Sequence, residues 1–595
     1  MPDDASSSLA LPQGATARVL LTSVFGPYAQ DDHFGSRLIN PMELHHNQVT
    51  RVQHTFSFRS FHRTWGLMLI QVNLKTPCTL LDFPSEQRFI EELKTHRYDV
   101  IGIGSIMTNL LKVRRMSKLI RKYQPQATIV VGGHIANIAD LKRWVDADHI
   151  VLGDGIRWMR MFLGEDEDQP IRHPRVMANL NNRLMGVSLP HHHGIDNATL
   201  IPTVGCPKGC NFCSTSAMFG GKGKSIQFYK TGEELFEIMC DLESSLGVRG
   251  FFVMDENFLI DKGRALRLLE LMEEHGKSWF MHVFSSADIL QRYTMKQLVE
   301  LGVTWVWIGL EGENSRYRKL AGTDTRQLVR SLQSHGIRVL GSSIIGLEDH
   351  SRDNIDDVID YAVSHDCDLH QFMLYTPIPG TPLHAEHTAN STMLSYVELS
   401  LPDTHGQFKF NFRHPHIKNN EESDFLLRAF HRDFEKNGPS VVRMIRTLLQ
   451  GWQRYQDHPN PRIRARFAYE ASNLPVKYAG ALWAARRRYR DDPHRRQLIS
   501  QILDNLLAEF GWKSRLAAPI VGRYLYRALC TEEQRLSEGQ TYEPPTFYET
   551  NSSNGPRDAV LVSGIETSIR PPVAESERDA TTESVVKETA VAVKR

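Results

Sequence analysis

The sequence lacks any uninterrupted run of about 18 apolar residues, so no stretch of it reads as a helix that crosses a bilayer. The apolar run Val19–Phe25 is too short to do so and reads as a first strand. Cysteine is scarce, with seven in 595 residues. The N-terminus, MPDDASSSLALPQG, is acidic and polar and does not read as a secretory signal. Together these argue against a disulfide-stapled secreted chain and for a reducing, cytoplasmic setting. Net charge is nearly absent too: 70 Lys and Arg stand against 69 Asp and Glu, a balance of +1. A general binder of nucleic acid needs a basic excess to neutralise phosphates, so no nucleic-acid partner is expected. What remains is an ordinary globular composition, 41% hydrophobic and 23% charged. The length predicts several domains with sizeable cores.

Within that scarcity, three cysteines stand close together. Cys206, Cys210 and Cys213 lie in GCPKGCNFCS, a C-x3-C-x2-C triplet. Three thiolates can hold three irons of a [4Fe–4S] cube and leave the fourth open to a substrate or cofactor. A closed zinc site wants four ligands, usually in two paired halves. No fourth ligand is obvious here, because Cys240 lies apart in a helical pattern. At this triplet the sequence resembles the radical S-adenosylmethionine (SAM) superfamily. The resemblance implies that the open iron chelates the amino and carboxylate groups of SAM. It also implies that an electron from the cluster cleaves SAM to a 5′-deoxyadenosyl radical. An electron donor such as a flavodoxin or ferredoxin is implied with it.

Before the triplet, short β-branched runs bounded by glycine alternate with helical patterns. Ala17–Phe25, Asp99–Ser105, Thr128–His134 and Asp148–Gly155 read as strands buried on both faces of a parallel sheet, and Asn109–Tyr123 as a helix between two of them. Ligands of such sheets sit beyond the carboxyl ends of the strands, here Ser105, Gly132–Gly133 and Gly153–Gly155. In order and spacing this resembles the cobalamin-binding domain that precedes many radical SAM domains. The resemblance implies a cobalamin cofactor whose nucleotide tail lies among Ser105, Gly132 and Gly133. A D-x-H-x-x-G motif would supply a cobalt ligand. The nearest string, Asp31-Asp32-His33-Phe34-Gly35-Ser36, ends in serine, so no histidine ligand is expected. A vestigial or regulatory Rossmann-like domain is the alternative. The long insertion at about Ala29–Pro84 is rich in His, Asn and aromatics, including Phe56, Phe58, His62 and Trp65, and suits a lid or substrate wall.

After the triplet the alternation resumes. Strands are expected at Ala198–Gly205, Arg249–Leu259, Ser278–Ser286, Val303–Gly312, Arg338–Glu348 and Leu369–Leu383, with helices such as Glu233–Leu246, Lys262–His275 and Thr294–Leu301 between them. Six βα units make a partial barrel with functional groups at the strand C-termini. The family resemblance implies SAM contacts at those ends. They are Phe212 in the cysteine loop, Asp255, Glu256 and Asn257 after the second strand, Ser285 after the third, Glu311 after the fourth and Gly346 after the fifth. Tyr375-Thr376-Pro377 and Pro379-Gly380-Thr381-Pro382 match the sixth-strand ending. A carboxylate at a strand end can instead cap the next helix, and both readings stand for Asp255 and Glu311. No catalytic acid or base can be named.

The expected organisation is α/β: an N-terminal tail over 1–16, a Rossmann-like cobalamin-type domain over 17–165, a linker over 166–198, a partial (β/α)6 radical SAM barrel over 199–385, a helical region over 386–532 and a disordered tail over 533–595. Pro461–Arg496 is strongly basic and aromatic, suited to a face over the barrel or to an anionic membrane surface. Peripheral membrane contact stays open. The leading expectation is a cobalamin-dependent radical SAM methyltransferase acting on an unactivated carbon of a small-molecule or lipid substrate. A non-methylating radical enzyme that cyclises, oxidises or couples carbons is the alternative, followed by a non-catalytic sensor of redox state or corrin.

Overall fold

The computed structural model describes residues 10–24, 44–178, 180–189, 197–312, 323–538, 540–542, 546–551, 560–561 and 567–569. The Asp31–Ser36 string lies outside them. In the N-terminal part, β1 (Val19–Thr22), β2 (Cys78–Asp82), β3 (Val100–Gly104), β4 (Thr128–Gly132) and β5 (His149–Val151) form one parallel sheet in the order 2-1-3-4-5. Alternate residues of each strand enter opposite cores. Leu20, Ile101, Ile103, Ile129 and Val131 face the helix α1 (Leu110–Tyr123), while Val19, Leu21, Val100 and Val130 pack with Leu67, Met68, Met159 and Phe162. That two-sided burial explains the unbroken apolar runs.

Two elements here depart from expectation. β2 lies inside the segment read as an insertion, as a short CTLLD strand between Pro77 and Pro84. At the far end of the chain, β12 (Phe547–Thr550) adds to β2 antiparallel, in the stretch expected to be a disordered tail. The guanidinium of Arg63 bridges Asp82 (3.0 Å) and Glu549 (2.7 Å), and Asn551 Oδ1 accepts from the Cys78 N–H at 2.6 Å. An otherwise bare sheet edge is thereby paired.

The second sheet holds β6 (Asn197–Leu200), β7 (Gly250–Val253), β8 (Phe280–Ser285), β9 (Val303–Glu311), β10 (Arg338–Ile345) and β11 (Leu369–Leu374), all parallel and adjacent in chain order. Phe251, Val253, Met281, Val283, Val306 and Ile308 point outward into a core with helices Gly232–Leu246 and Lys262–Glu274. Capping boxes at Thr231–Glu234 and Thr294–Gln297 start the helices that follow β6 and β8.

Helices beyond β11 close the barrel from below. Arg466 donates to the carbonyls of Val299 (2.5 Å) and Val303 (3.1 Å) and pairs with Glu470 at 2.8 Å; Glu470 also holds Arg338 at 2.8 Å. Arg462 donates to the Glu300 carbonyl at 2.7 Å. These arginines of the basic segment are therefore bound to the underside of the barrel. No helix among the described residues is long and apolar enough to cross a membrane.

Candidate functional site

The cysteine loop is held at each end. Thr203–Val204 pairs antiparallel with Ile226–Gln227, closing its base. Gly205 and Gly209 take φ of 83° and 66°, and a Cβ on them would fall 2.7 Å from Phe219 and 2.5 Å from Lys222. Glycine is required at both turns. Ser216 Oγ donates to the Cys206 carbonyl at 2.8 Å, and the Ser216 N–H reaches Cys213 Sγ at 3.5 Å. Lys208 pairs with Asp288 beyond β8, and the Leu383 N–H donates to the Asn211 carbonyl at 3.0 Å. The loop is so tied to both the third and sixth strands.

Burial pushes the Cys206 thiol up to about 11, with smaller upward contributions from Cys213, Cys210 and Glu256. Burial raises Cys213 as well, and Cys210 and Glu256 add to it. Both thiols thus feel the charge of neighbouring cysteines. Thiols as reluctant to ionise as Cys206 and Cys213 suit a donor set that a metal deprotonates on binding. Among the described residues no three His, Cys, Asp or Glu converge as a single ion requires. A cube takes one thiolate per iron, so its ligands need no such convergence.

The second-strand carboxylates divide their work. Asp255 is buried in the barrel wall, where it accepts from the Asn257 N–H at 3.0 Å and pairs with Arg264 at 3.0 Å. Glu256 turns toward the cysteine loop. Its carboxyl is pushed up to about 7, chiefly by burial, although the Gly205 N–H stabilises its charge. Glu256 Oε2 is buried with no hydrogen-bond partner. An orphaned carboxylate oxygen beside three cysteines is what the ammonium group of SAM would satisfy.

The other expected contacts lie at the same end of the barrel. Asn257 links Ser285 and Ser286, accepting from one hydroxyl and donating to the other at 3.2 Å each. Glu311 is buried at φ 51°, beside a register shift between β9 and β10. A left-handed glutamate at a strand end is a strained conformation of the kind held for function. Gly346, at φ 84°, lies under the Phe410 ring, where a Cβ would come within 2.2 Å, and its N–H donates to His350 Nδ1 at 3.0 Å. Phe212 meets the Tyr375 ring edge-on at 6.3 Å.

One cavity adjoins this end, and a second lies deeper in the barrel. A cavity of about 310 Å³ lies beyond the carboxyl ends of β3, β4 and β5, with Ser105, Gly132, Gly133 and Gly153 in its wall. Val204, Met218 and Phe219 of the cysteine loop form part of its lining. A Cβ on Gly133 would strike the Ser105 carbonyl oxygen at 2.5 Å, so bare backbone forms this rim. The cradle is polar main chain over apolar walls, a fit for a heteroaromatic nucleotide tail. His134 also lines it, held neutral by burial. The second cavity, about 900 Å³, occupies the barrel lumen and is mainly apolar. Phe252, His282, Phe284, Trp305 and Trp307 line it from the strands. Phe56, Phe58, His62 and Trp65 close it from the segment read as a wall, and three C-terminal helices from the other side.

A cysteine triplet at the mouth of a six-stranded partial barrel, capped by a nucleotide-type sheet, defines an enzyme that couples an iron–sulfur centre to a second cofactor. The family model of the radical SAM superfamily matches residues 200–362, and that of the B12 binding domain matches 59–159. An uncharacterized methyltransferase of Pyrococcus horikoshii is 27% identical over 331 residues, 50% of this chain and 71% of that one. The bacteriochlorophyllide d C-12(1)-methyltransferase of Chlorobaculum tepidum is 30% identical over 33% of this chain and 44% of its own. The C-8(2)-methyltransferase of the same organism is 23% identical over 56% and 75%. The chain thus carries a radical SAM domain and, before it, a B12-binding domain.

Sequence reasoning missed the aromatic lining of the barrel. Its signal was present in VTWVWIGLEG, where Trp305, Trp307 and Gly309 share one face at period two. It also missed β2, His134 and the pairing of the C-terminal strand.

Proposed function

We propose that the protein is a cobalamin-dependent radical SAM methyltransferase whose acceptor is a large, mainly apolar molecule with ring character. When bound, the cluster on Cys206, Cys210 and Cys213 supplies the electron that splits SAM, and cobalamin supplies the methyl group. The observation that carries the reading is the joint placement of cavities: one built for a nucleotide tail, one for an apolar acceptor, with the cysteine loop contributing to the first and Met254, two residues before Glu256, lining the second.

The chain's own residues then have defined tasks. Glu256 Oε2 takes the ammonium of SAM, and Asp255 with Arg264 holds the strand end that presents it. Phe212 and Tyr375 would hold the adenine, and the Asn257–Ser285–Ser286 network and Glu311 would bind the ribose and the amino acid part. Ser105, Gly132 and Gly133 would receive the cobalamin tail. The aromatic lumen excludes water and orients the acceptor by shape rather than by charge. Two relatives named for methyl transfer to bacteriochlorophyllide d support a bulky acceptor. An intracellular electron donor and a cytoplasmic location belong to the same reading, since an oxygen-sensitive cluster calls for a reducing setting.

The test is anaerobic turnover of reconstituted protein with SAM and a strong reductant, with and without hydroxocobalamin. Both 5′-deoxyadenosine and S-adenosylhomocysteine should form, the second only with cobalamin. Deoxyadenosine alone, indifferent to cobalamin, would instead favour a non-methylating radical enzyme.

A further inference from the structure

One exposed apolar surface is not used by the site. Gly511, at φ 69° and ψ −150°, breaks the segment Pro493–Ser537 into two helices. On the second, Trp512, Leu516, Ile520 and Tyr524 recur every four residues and are 68, 60, 67 and 64% exposed. They are four of the nine large apolar side chains exposed among the described residues, and the other five are scattered through the chain. The opposite face, Ser514, Ala518 and Gly522, is buried. It is locked against helix Ala479–Arg488: a Cβ on Gly522 would lie 2.5 Å from the Trp483 ring, and one on Gly480 2.5 Å from Val521. Positions two apart on a helix point some 200° apart, so the stripe cannot turn inward without unpacking that contact.

The charge around the stripe has one sign. No Asp or Glu occurs between Phe510 and Thr531, while Lys513, Arg515, Arg523 and Arg527 are all exposed. Some arginines elsewhere in this region are paired, as Arg488 is with Glu533 and Arg495 with Asp492. The last turn of the stripe reaches the barrel cavity, because Val521, Tyr524 and Leu525 line it.

We propose that the helix after Gly511 seats the protein on an anionic lipid membrane. Trp512, Leu516, Ile520 and Tyr524 enter the headgroup boundary, and the four cations meet lipid phosphates. Exposed apolar stripes rimmed by basic side chains are the form such surfaces take. The seat places the Tyr524 end, and with it the cavity mouth, against the lipid. A route for an apolar acceptor from membrane to lumen follows; this last point rests on the reading of the larger cavity given above, whereas the docking does not.

The experiment is co-sedimentation of the full-length, cluster-loaded protein with vesicles of phosphatidylcholine alone and of phosphatidylcholine with phosphatidylglycerol. Binding should favour the anionic vesicles by about tenfold and weaken at high salt. Trp512→Ser with Ile520→Ser should reduce it about tenfold or more, and Arg515→Glu with Arg523→Glu should do likewise. Both variants alter exposed residues, and both should keep the wild-type Tm and deoxyadenosine formation. Absence of vesicle binding, equal binding to both vesicle types, or variants that bind like wild type would each overturn the proposal. A dimer seen by light scattering and abolished by the apolar variant, without vesicle binding, would overturn it in favour of a second copy on the stripe. Vesicle binding is read without SAM, so failure here leaves the methyltransferase reading intact, and failure of methyl transfer leaves the docking intact.

Discussion

The smaller cavity is walled at its rim by backbone: Ser105 N–H donates to the Gly132 carbonyl at 3.0 Å, and Gly133 packs on the Ser105 carbonyl too closely to admit a Cβ. The larger is walled by rings, with Phe284 stacked on Trp307 at 4.9 Å and Trp65 beside Phe252 at 5.8 Å. Main chain reads a fixed shape and tolerates little change at its glycines. A wall of side chains can be recut one residue at a time while the barrel strands stay in register. The difference suits a shared cofactor on one side and a particular acceptor on the other.

The most drastic way to break this pair is to disable the cysteine loop that lines the smaller one. Cys210→Ala should abolish deoxyadenosine formation completely and leave both cavities in place. Hydroxocobalamin binding, followed by absorbance, should be retained. Persistent deoxyadenosine would sink the cluster assignment.

Next in size is the glycine rim. Gly133→Val introduces a Cβ 2.5 Å from a backbone oxygen, at φ 85° where L-residues are strained. Cobalamin affinity should fall about a hundredfold, the equivalent of roughly 3 kcal/mol. Reductive cleavage of SAM without cobalamin should survive. Loss of both activities together would mean that the two regions are not separable.

Acid sharpens the comparison on the barrel side. His350 is buried beneath Gly346 and near Gly312, faced by Glu348, Asp349 and His414, and burial lowers it to about 4. Its folded value lies below the unfolded 6.5, so it contributes stability that is present above pH 6.5 and lost as pH falls toward 4. Between pH 7.5 and 5 its share is about 2 kcal/mol. His350→Gln should flatten the fall of Tm over that range. His173 and His405, lowered by burial to about 4 and about 3, will keep part of it. An unchanged pH profile in the variant would show that His350 is not held neutral.

The two cavities were not equally legible in the sequence. Glycines at strand ends and a C-x3-C-x2-C spacing are local signals, and Ser105, Gly132, Gly133 and the three cysteines fall where those signals place them, at one end of the two sheets. The lumen is assembled from segments near residues 50–65, 182–189, 252–307, 338–369, 440–448 and 473–525, and no local pattern records that they meet. Asp255 and Glu256 show the limit within a single motif. The two adjacent carboxylates follow the end of β7, and only the placement of Arg264 reveals that Asp255 is spent in the wall. β12 was hidden because a strand that borrows its partner from β2, over four hundred residues earlier in the chain, needs little hydrophobicity of its own.

The smallest expected effect tests whether the lumen is a chamber at all. Trp307 points into it from β9, whereas Phe251 on β7 points the other way and packs on Trp279 at 5.6 Å. Trp307→Ala removes a ring from the cavity wall, so it should weaken binding of an apolar fluorescent probe such as anilinonaphthalene sulfonate by about tenfold. It should change Tm little and leave cobalamin affinity alone. Phe251→Ala should do the reverse, costing about 3–5 kcal/mol of stability as a buried phenylalanine does, with probe binding preserved in whatever fraction remains folded. If instead both variants lose stability alike and neither alters probe binding, the rings around the lumen serve packing, and the acceptor must be sought elsewhere along the barrel mouth.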